Sequence, residues 1–168
     1  MTLQEIYDLI ALTPEEFLKQ CKITNYQASG AGGQKRNRKY SAVRLTHVKS
    51  GYTATASEFR EPKRNLSRAI RKLRLEIALE FPLINLKGDM TETPLSLFRV
   101  NVNENHPDFP ACVLVAYHIF YLKKAVLGEA AKKLGTGSAA LIRFFKKDKT
   151  LFRKVQELRK ENNHFPLK

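Results

Sequence analysis

Cysteine is nearly absent from this 168-residue chain. Cys21 and Cys112 lie far apart, with no CxxC pair and no Cys/His spacing. That excludes a disulfide-stapled scaffold and a zinc finger or ribbon, and predicts free thiols in a reducing compartment. Acidic residues are also scarce, at 16 Asp+Glu against 30 Lys+Arg. Basic residues are missing from the start of the chain, where Glu5, Asp8, Glu15 and Glu16 appear and the first cation is Lys19. A secretory or mitochondrial leader has the reverse pattern, so no export signal is expected. Long hydrophobic runs are absent too. Ala111–Leu122, interrupted by His118, falls well short of the roughly 18 residues a membrane span requires and predicts a buried helix, with His118 packed in the core.

What the chain does have is a formal charge of +14, a 43% hydrophobic content, ten Phe and six Tyr. That is enough apolar material to fold one core, or one small domain with a helical appendix, but not a multidomain machine. The charge is unevenly placed. Residues 34–74 hold 13 basic and 2 acidic residues, and residues 111–168 hold 13 and 4, whereas 75–110 hold 2 and 6. Two cationic blocks flank an acidic spacer rich in Pro and Asn (Pro82, Pro94, Pro107, Pro110), so a boundary is expected near residue 104, dividing 1–103 from 104–168. A polyanion is the expected partner, because Lys and Arg release counterions when they meet phosphates.

Element signals are clear in places. Thr13-Pro14-Glu15-Glu16 predicts a capped helix start, ending near Gln20. Lys22–Ala28, Ser41–Val48 and Tyr52–Glu58 read as strands, the last two joined through Gly51. Leu66, Ala69, Ile70, Leu73 and Ile77 recur at helical spacing within 62–80, with cations on the other faces. Leu95–Val102 is a further candidate strand. Helices are expected over roughly 109–126, 129–134, 138–147 and 150–160, with Ser138 capping the third across the Gly135-Thr136-Gly137 break. The fold class is therefore α+β: a small antiparallel sheet packed with a basic amphipathic helix, then a small all-helical, helix-turn-helix-like module.

Between the first two strands lies Ser29-Gly30-Ala31-Gly32-Gly33-Gln34, followed by Lys35, Arg36, Asn37, Arg38 and Lys39. Clustered glycines permit close backbone approach to a ligand. A dinucleotide fingerprint fails because position 35 is Lys, and a P-loop cannot be aligned. A plain linker explains the glycines but not Gln34 and the cations behind it. No rival constellation occurs: His47, His106, His118 and His164 are scattered, and GxSxG and HExxH are absent. No metal and no organic cofactor is implied.

Ser29–Gln34, Asn37 and Ser41-Ala-Val-Arg-Leu-Thr-His47 together resemble the catalytic domain of peptide chain release factors, and the likeness continues through Gly51, Glu58, Arg60 and Asn65 to about residue 80. The core of the resemblance is 22–80. It implies a cytoplasmic bacterial protein that hydrolyses the ester between nascent peptide and transfer RNA, with Gly32, Gly33 and Gln34 as catalytic residues and the ribosome, through large-subunit RNA and peptidyl-tRNA, as partner. Lys35-Arg36 departs from the His or Asn followed by Val common in the family, which adds charge suited to RNA.

Stop-codon reading needs further domains than 168 residues hold, so the expectation is codon-independent rescue of stalled ribosomes by a monomer. The expected RNA-binding residues are Lys35, Arg36, Asn37, Arg38, Lys39, Arg44, Arg60, Arg64, Arg68, Arg71 and Lys72, and in the helical module Arg143, Lys146, Lys147, Arg153 and Lys154. Leu141, Phe144, Phe145, Leu151 and Val155 interrupt that second basic block and mark it as folded. A non-hydrolytic ribosome- or rRNA-binding factor is the alternative, and a DNA-reading helical module a third.

Overall fold

The computed structural model describes residues 3–27, 41–85 and 95–168, with the side chains of 81–85 excepted. Among these, the order is α1 (Leu3–Ala11), α2 (Pro14–Lys19), β1 (Cys21–Tyr26), β2 (Ala42–His47), β3 (Thr53–Ala56), α3 (Pro62–Asn85), a 3-10 turn at Leu95–Leu97, α4 (Phe109–Leu122), α5 (Leu127–Lys133), α6 (Ser138–Phe145) and α7 (Lys149–Glu161). The residues group into two compact units, Asp8–Ile77 and Met1–Tyr7 with Ala78–Lys168, so the chain passes between them within α1 and α3. The boundary expected near 104 falls inside the second.

In the unit Asp8–Ile77, α2 begins as anticipated. Thr13 N–H donates to the Glu16 carboxylate at 3.0 Å and Thr13 Oγ1 accepts from Glu16 N–H at 3.3 Å, a capping box. The sheet is antiparallel in the order β1-β2-β3, with Tyr26 opposite Ala42, Ile23 opposite Leu45, and Leu45 opposite Ala54. Alternation on β3 buries Ala54 and Ala56 and exposes Thr53 and Thr55. Gly51 turns the β2–β3 hairpin at φ +75°, which a side chain would oppose. Of the α3 stripe, Ala69, Ile70, Leu73 and Ile77 are buried as the spacing predicts, and Leu66 in the first turns is only half-buried.

In the other unit, α4 is buried nearly all round, from Phe109 to Phe120 with only Ala111 less enclosed. Aromatic edges close the core: Phe144 meets Phe98 at 5.3 Å and Phe109 at 5.7 Å, and Phe120 meets Phe145 at 5.2 Å. α7 is capped by Asp148, whose carboxylate accepts from Thr150 and Leu151 N–H.

Three expectations are corrected. Leu95–Val102 is no strand: after the 3-10 turn its backbone is held by a side chain, with Lys147 Nζ donating to Val100 O at 3.0 Å and Val102 O at 2.6 Å. α4 stops at Leu122 rather than near 126, because Lys124 and Ala125 take φ +48° and +58° and donate to Tyr121 and Phe120 carbonyls. This Schellman closure is built without glycine, hence invisible in sequence. The cap of α6 is Gly137, in extended conformation, and Ser138 is already helical. α1, unannounced by any cap, buries Ile6, Tyr7, Leu9 and Ile10.

His118 is 1% exposed, and burial pushes its pKa from 6.5 down to about 4. The unfolded chain therefore binds the proton more readily across that interval. The stabilisation is complete above about pH 6.5 and is lost on acidification toward pH 4, on the order of 3 kcal/mol. Urea unfolding of the wild type should show this fall, and His118→Gln should remove about one proton from the slope; parallel slopes would exclude the assignment.

Candidate functional site

The glycine–cation segment joins β1 to β2. Gly32, Gly33, Gln34, Lys35, Arg36, Asn37, Arg38 and Lys39 lie outside the described residues. The strands that carry it are described, and they define its two ends. Asn25 pairs with Val43 and Tyr26 with Ala42, so the chain leaves and re-enters the sheet at directly opposed positions. The Arg44 guanidinium lies 5.2 Å from the Tyr26 ring centroid, over the same strand ends.

The re-entry point is fixed a second time, from α3. Asn65 is fully buried, and its carboxamide donates to Ser41 O at 2.7 Å and Phe59 O at 2.8 Å while accepting from Phe59 N–H at 2.9 Å. One side chain thus ties the residue next to the segment, the approach to α3 and the helix itself. Asn65 sits four residues before Ala69 and eight before Leu73, on the buried stripe. A polar residue in that row is the sequence signal for such a clamp, since it must be hydrogen-bonded there.

A buried stack backs the sheet. The His47 ring lies parallel to Phe17 at 6.4 Å, Arg74 covers Phe17 at 4.8 Å, and Arg74 Nη2 donates to Leu12 O at 2.6 Å. His47 Nδ1 meets Ser50 Oγ at 2.7 Å, and burial, helped by the Lys49 charge, holds its pKa below 6.5. His47 and Arg74 therefore serve the core in the described structure, and Arg74 is the one cation of α3 fully withdrawn from solvent.

The other cations named from sequence divide by environment. Arg60 and Arg64 are exposed, Arg64 over the Phe59 ring at 4.1 Å; Arg68 and Arg71 are half-buried. Lys72 donates to Thr55 O and to the Glu58 carboxylate. Partial burial raises the Glu58 pKa, but the Lys72 hydrogen bond and charge prevail and hold it below the usual carboxylate value. In the helical unit Arg143 and Lys146 are exposed, Lys146 near the Phe152 ring. Lys147 is committed to Val100 and Val102, Lys154 pairs with Glu80, and Arg153 pairs with Glu157 one turn on.

Two consequences can be measured by chemical denaturation. Asn65→Ala strands buried backbone groups of Ser41 and Phe59 and should cost about 3 kcal/mol, a few kcal/mol being usual for orphaned buried partners. Lys147→Ala should cost about 2 kcal/mol through its charged bonds, and Arg143→Ala less than about 0.5 kcal/mol. Equal losses for Lys147 and Arg143 would overturn this division.

Comparison with known proteins covers the same stretch of the chain. Residues 15–89 match the family model of the RF-1 domain. Peptide chain release factor 1 of Novosphingobium aromaticivorans is 44% identical over 59 residues, covering 35% of this chain and 17% of that protein. Peptide chain release factor 2 of Rickettsia africae is 38% identical over 73 residues (44% and 19%), and that of Campylobacter fetus 37% over 84 residues (50% and 22%). The chain thus spans about a fifth of the length of these relatives. No solved structure matches it. The strand pair, the Asn65 clamp and the Gly-Gly-Gln segment all lie inside the matched stretch, so residues 15–89 are similar to the RF-1 domain of peptide chain release factors.

Proposed function

We propose that this protein hydrolyses the ester joining a nascent peptide to transfer RNA on stalled bacterial ribosomes, without reading a stop codon. The observation that carries the reading is Gly32-Gly33-Gln34, set between paired strand ends within the family stretch. Ester hydrolysis needs a water held against the carbonyl and a donor for the developing oxyanion, and no side-chain nucleophile. A backbone N–H at Gln34 supplies such a donor, the Gln34 side chain shapes access for water, and glycine at 32 and 33 admits conformations that a Cβ would block.

The cations around this stretch suit RNA phosphates. Arg60 and Arg64 are exposed on or before the first turn of α3, and Lys35, Arg36, Arg38 and Lys39 come directly after Gln34. The helical unit adds exposed Arg143 and Lys146 on α6. Codon independence is supported by the residues C-terminal to the family stretch, which form a basic helical unit built on an aromatic core.

Release of labelled peptide should be fast from ribosomes stalled on truncated message and slow from those at a stop codon or at a sense codon in mid-message. Gly33→Ala should lower the rate by at least about 100-fold, the scale of losing an oxyanion donor, and Gln34→Ala by about tenfold. Equal rates in all three proteins would sink the assignment. Binding without release in every state would leave a non-hydrolytic ribosome-binding factor.

A further inference from the structure

Beyond α7 the segment His164–Lys168 has no regular structure, yet its backbone is fixed along its length. Asn163 turns the chain at φ +59°, and His164 N–H donates to Arg159 O at 2.9 Å. His164 Nε2 donates to Lys124 O at 2.9 Å, and Arg159 Nε donates to Phe165 O at 2.7 Å. The Gln156 carboxamide takes both backbone groups of Leu167, donating to its carbonyl at 2.8 Å and accepting from its N–H at 2.9 Å. On this fixed backbone the Phe165 side chain is 88% exposed, more than any other large hydrophobic side chain among the described residues.

That combination is unusual for an aromatic residue. A ring this exposed contributes little to the fold, while Gln156, Arg159 and His164 give up solvation and rotamer freedom to hold the backbone beneath it. The surroundings are cationic. Lys124, whose carbonyl His164 grips, is exposed, as are Lys160 and Lys168, and Glu161 is the single acidic side chain of residues 159–168. An apolar pocket in a protein partner would have to desolvate those ammonium groups. A nucleotide meets both features, offering a π face to the ring and a phosphate to the lysines.

We propose that Phe165 is a stacking platform for an unpaired RNA base, with Lys124, Lys160 and Lys168 meeting the flanking phosphates. Because every base has a π face, the platform reads single-strandedness rather than sequence. It is independent of hydrolysis at residues 32–34, so a Gly33→Ala protein inactive in release retains it.

The test uses the full chain, which contains no Trp, so Phe165→Trp introduces its sole indole. Titration with a single-stranded RNA of about 12 nucleotides, within the span one module covers, should quench that fluorescence. In the wild-type background, Phe165→Ala should weaken the RNA affinity by about 5–100-fold at fixed salt without changing the slope of log affinity against log salt, as loss of one stacked base requires. The pair Lys160→Gln and Lys168→Gln should instead lower that slope by about 1.4. Thermal melts of Phe165→Ala and wild type should coincide, because the ring is exposed. An unquenched indole, or a Phe165→Ala protein that binds RNA as wild type does, would overturn the proposal. Quenching by intact ribosomes but by no RNA would mean a protein partner and would overturn it equally.

Discussion

The carboxamide of Asn65 has no access to water, and each of its three hydrogen bonds ends on a backbone atom of another segment. The rest of the unit Asp8–Ile77 depends on that constraint. Through Phe59 it fixes how the chain enters α3, and through Ser41 it fixes where the chain returns to β2 after the glycine–cation segment. The apolar stripe of Ala69, Ile70 and Leu73 supplies burial but is indifferent to small slips along the helix, whereas a buried amide satisfied at both ends is not. Position is thus set by a polar group within an apolar face, and the strand pair Tyr26–Ala42 repeats the same constraint from the other side.

A net charge of +14 favours a polyanionic partner but does not say which cations would face it. Arg74 lies against Phe17 and Leu12, Lys72 joins Glu58 and Thr55, Lys147 holds the carbonyls of Val100 and Val102, and Lys154 meets Glu80. Each spends its donors inside its own unit. Arg60, Arg64, Arg143 and Lys146 are exposed instead. On α3 both kinds occur within a few turns, because a 24-residue helix presents every azimuth and only one azimuth is covered. The same division holds in the last turn of α7, where Arg159 is bound to Phe165 and Ala125 carbonyls while Lys160 beside it is exposed.

Legibility tracked the range of the interaction. The Thr13–Glu16 box, the Gly51 turn, the β2–β3 alternation and the α3 stripe are local patterns, and the structure reproduces them with ends shifted by a few residues. His118 as a core residue was readable from the apolar run around it. The end of α4 was not, because Lys124 and Ala125 carry no glycine signal for the left-handed turn they make. Leu95–Val102 misled for a related reason: its carbonyls are satisfied by Lys147, more than forty residues on, and no window of sequence contains both. For the candidate site, Gly32-Gly33-Gln34 was legible as a motif, and the Asn65 clamp only as a polar residue in an apolar row.

By itself the sequence determined the α+β class, the family stretch and the identity of Gly32, Gly33 and Gln34, because periodicity, capping and a motif of fixed spacing are properties of neighbours along the chain. Tertiary structure alone decided which cations are spent on carbonyls and carboxylates and which are exposed, that Asn65 locks Ser41 and Phe59 together, and that Phe165 stands outside the fold on a backbone held by Gln156 and Arg159. The physical reason is that a hydrogen bond between distant residues depends on separation in space, and separation along the chain carries no record of it.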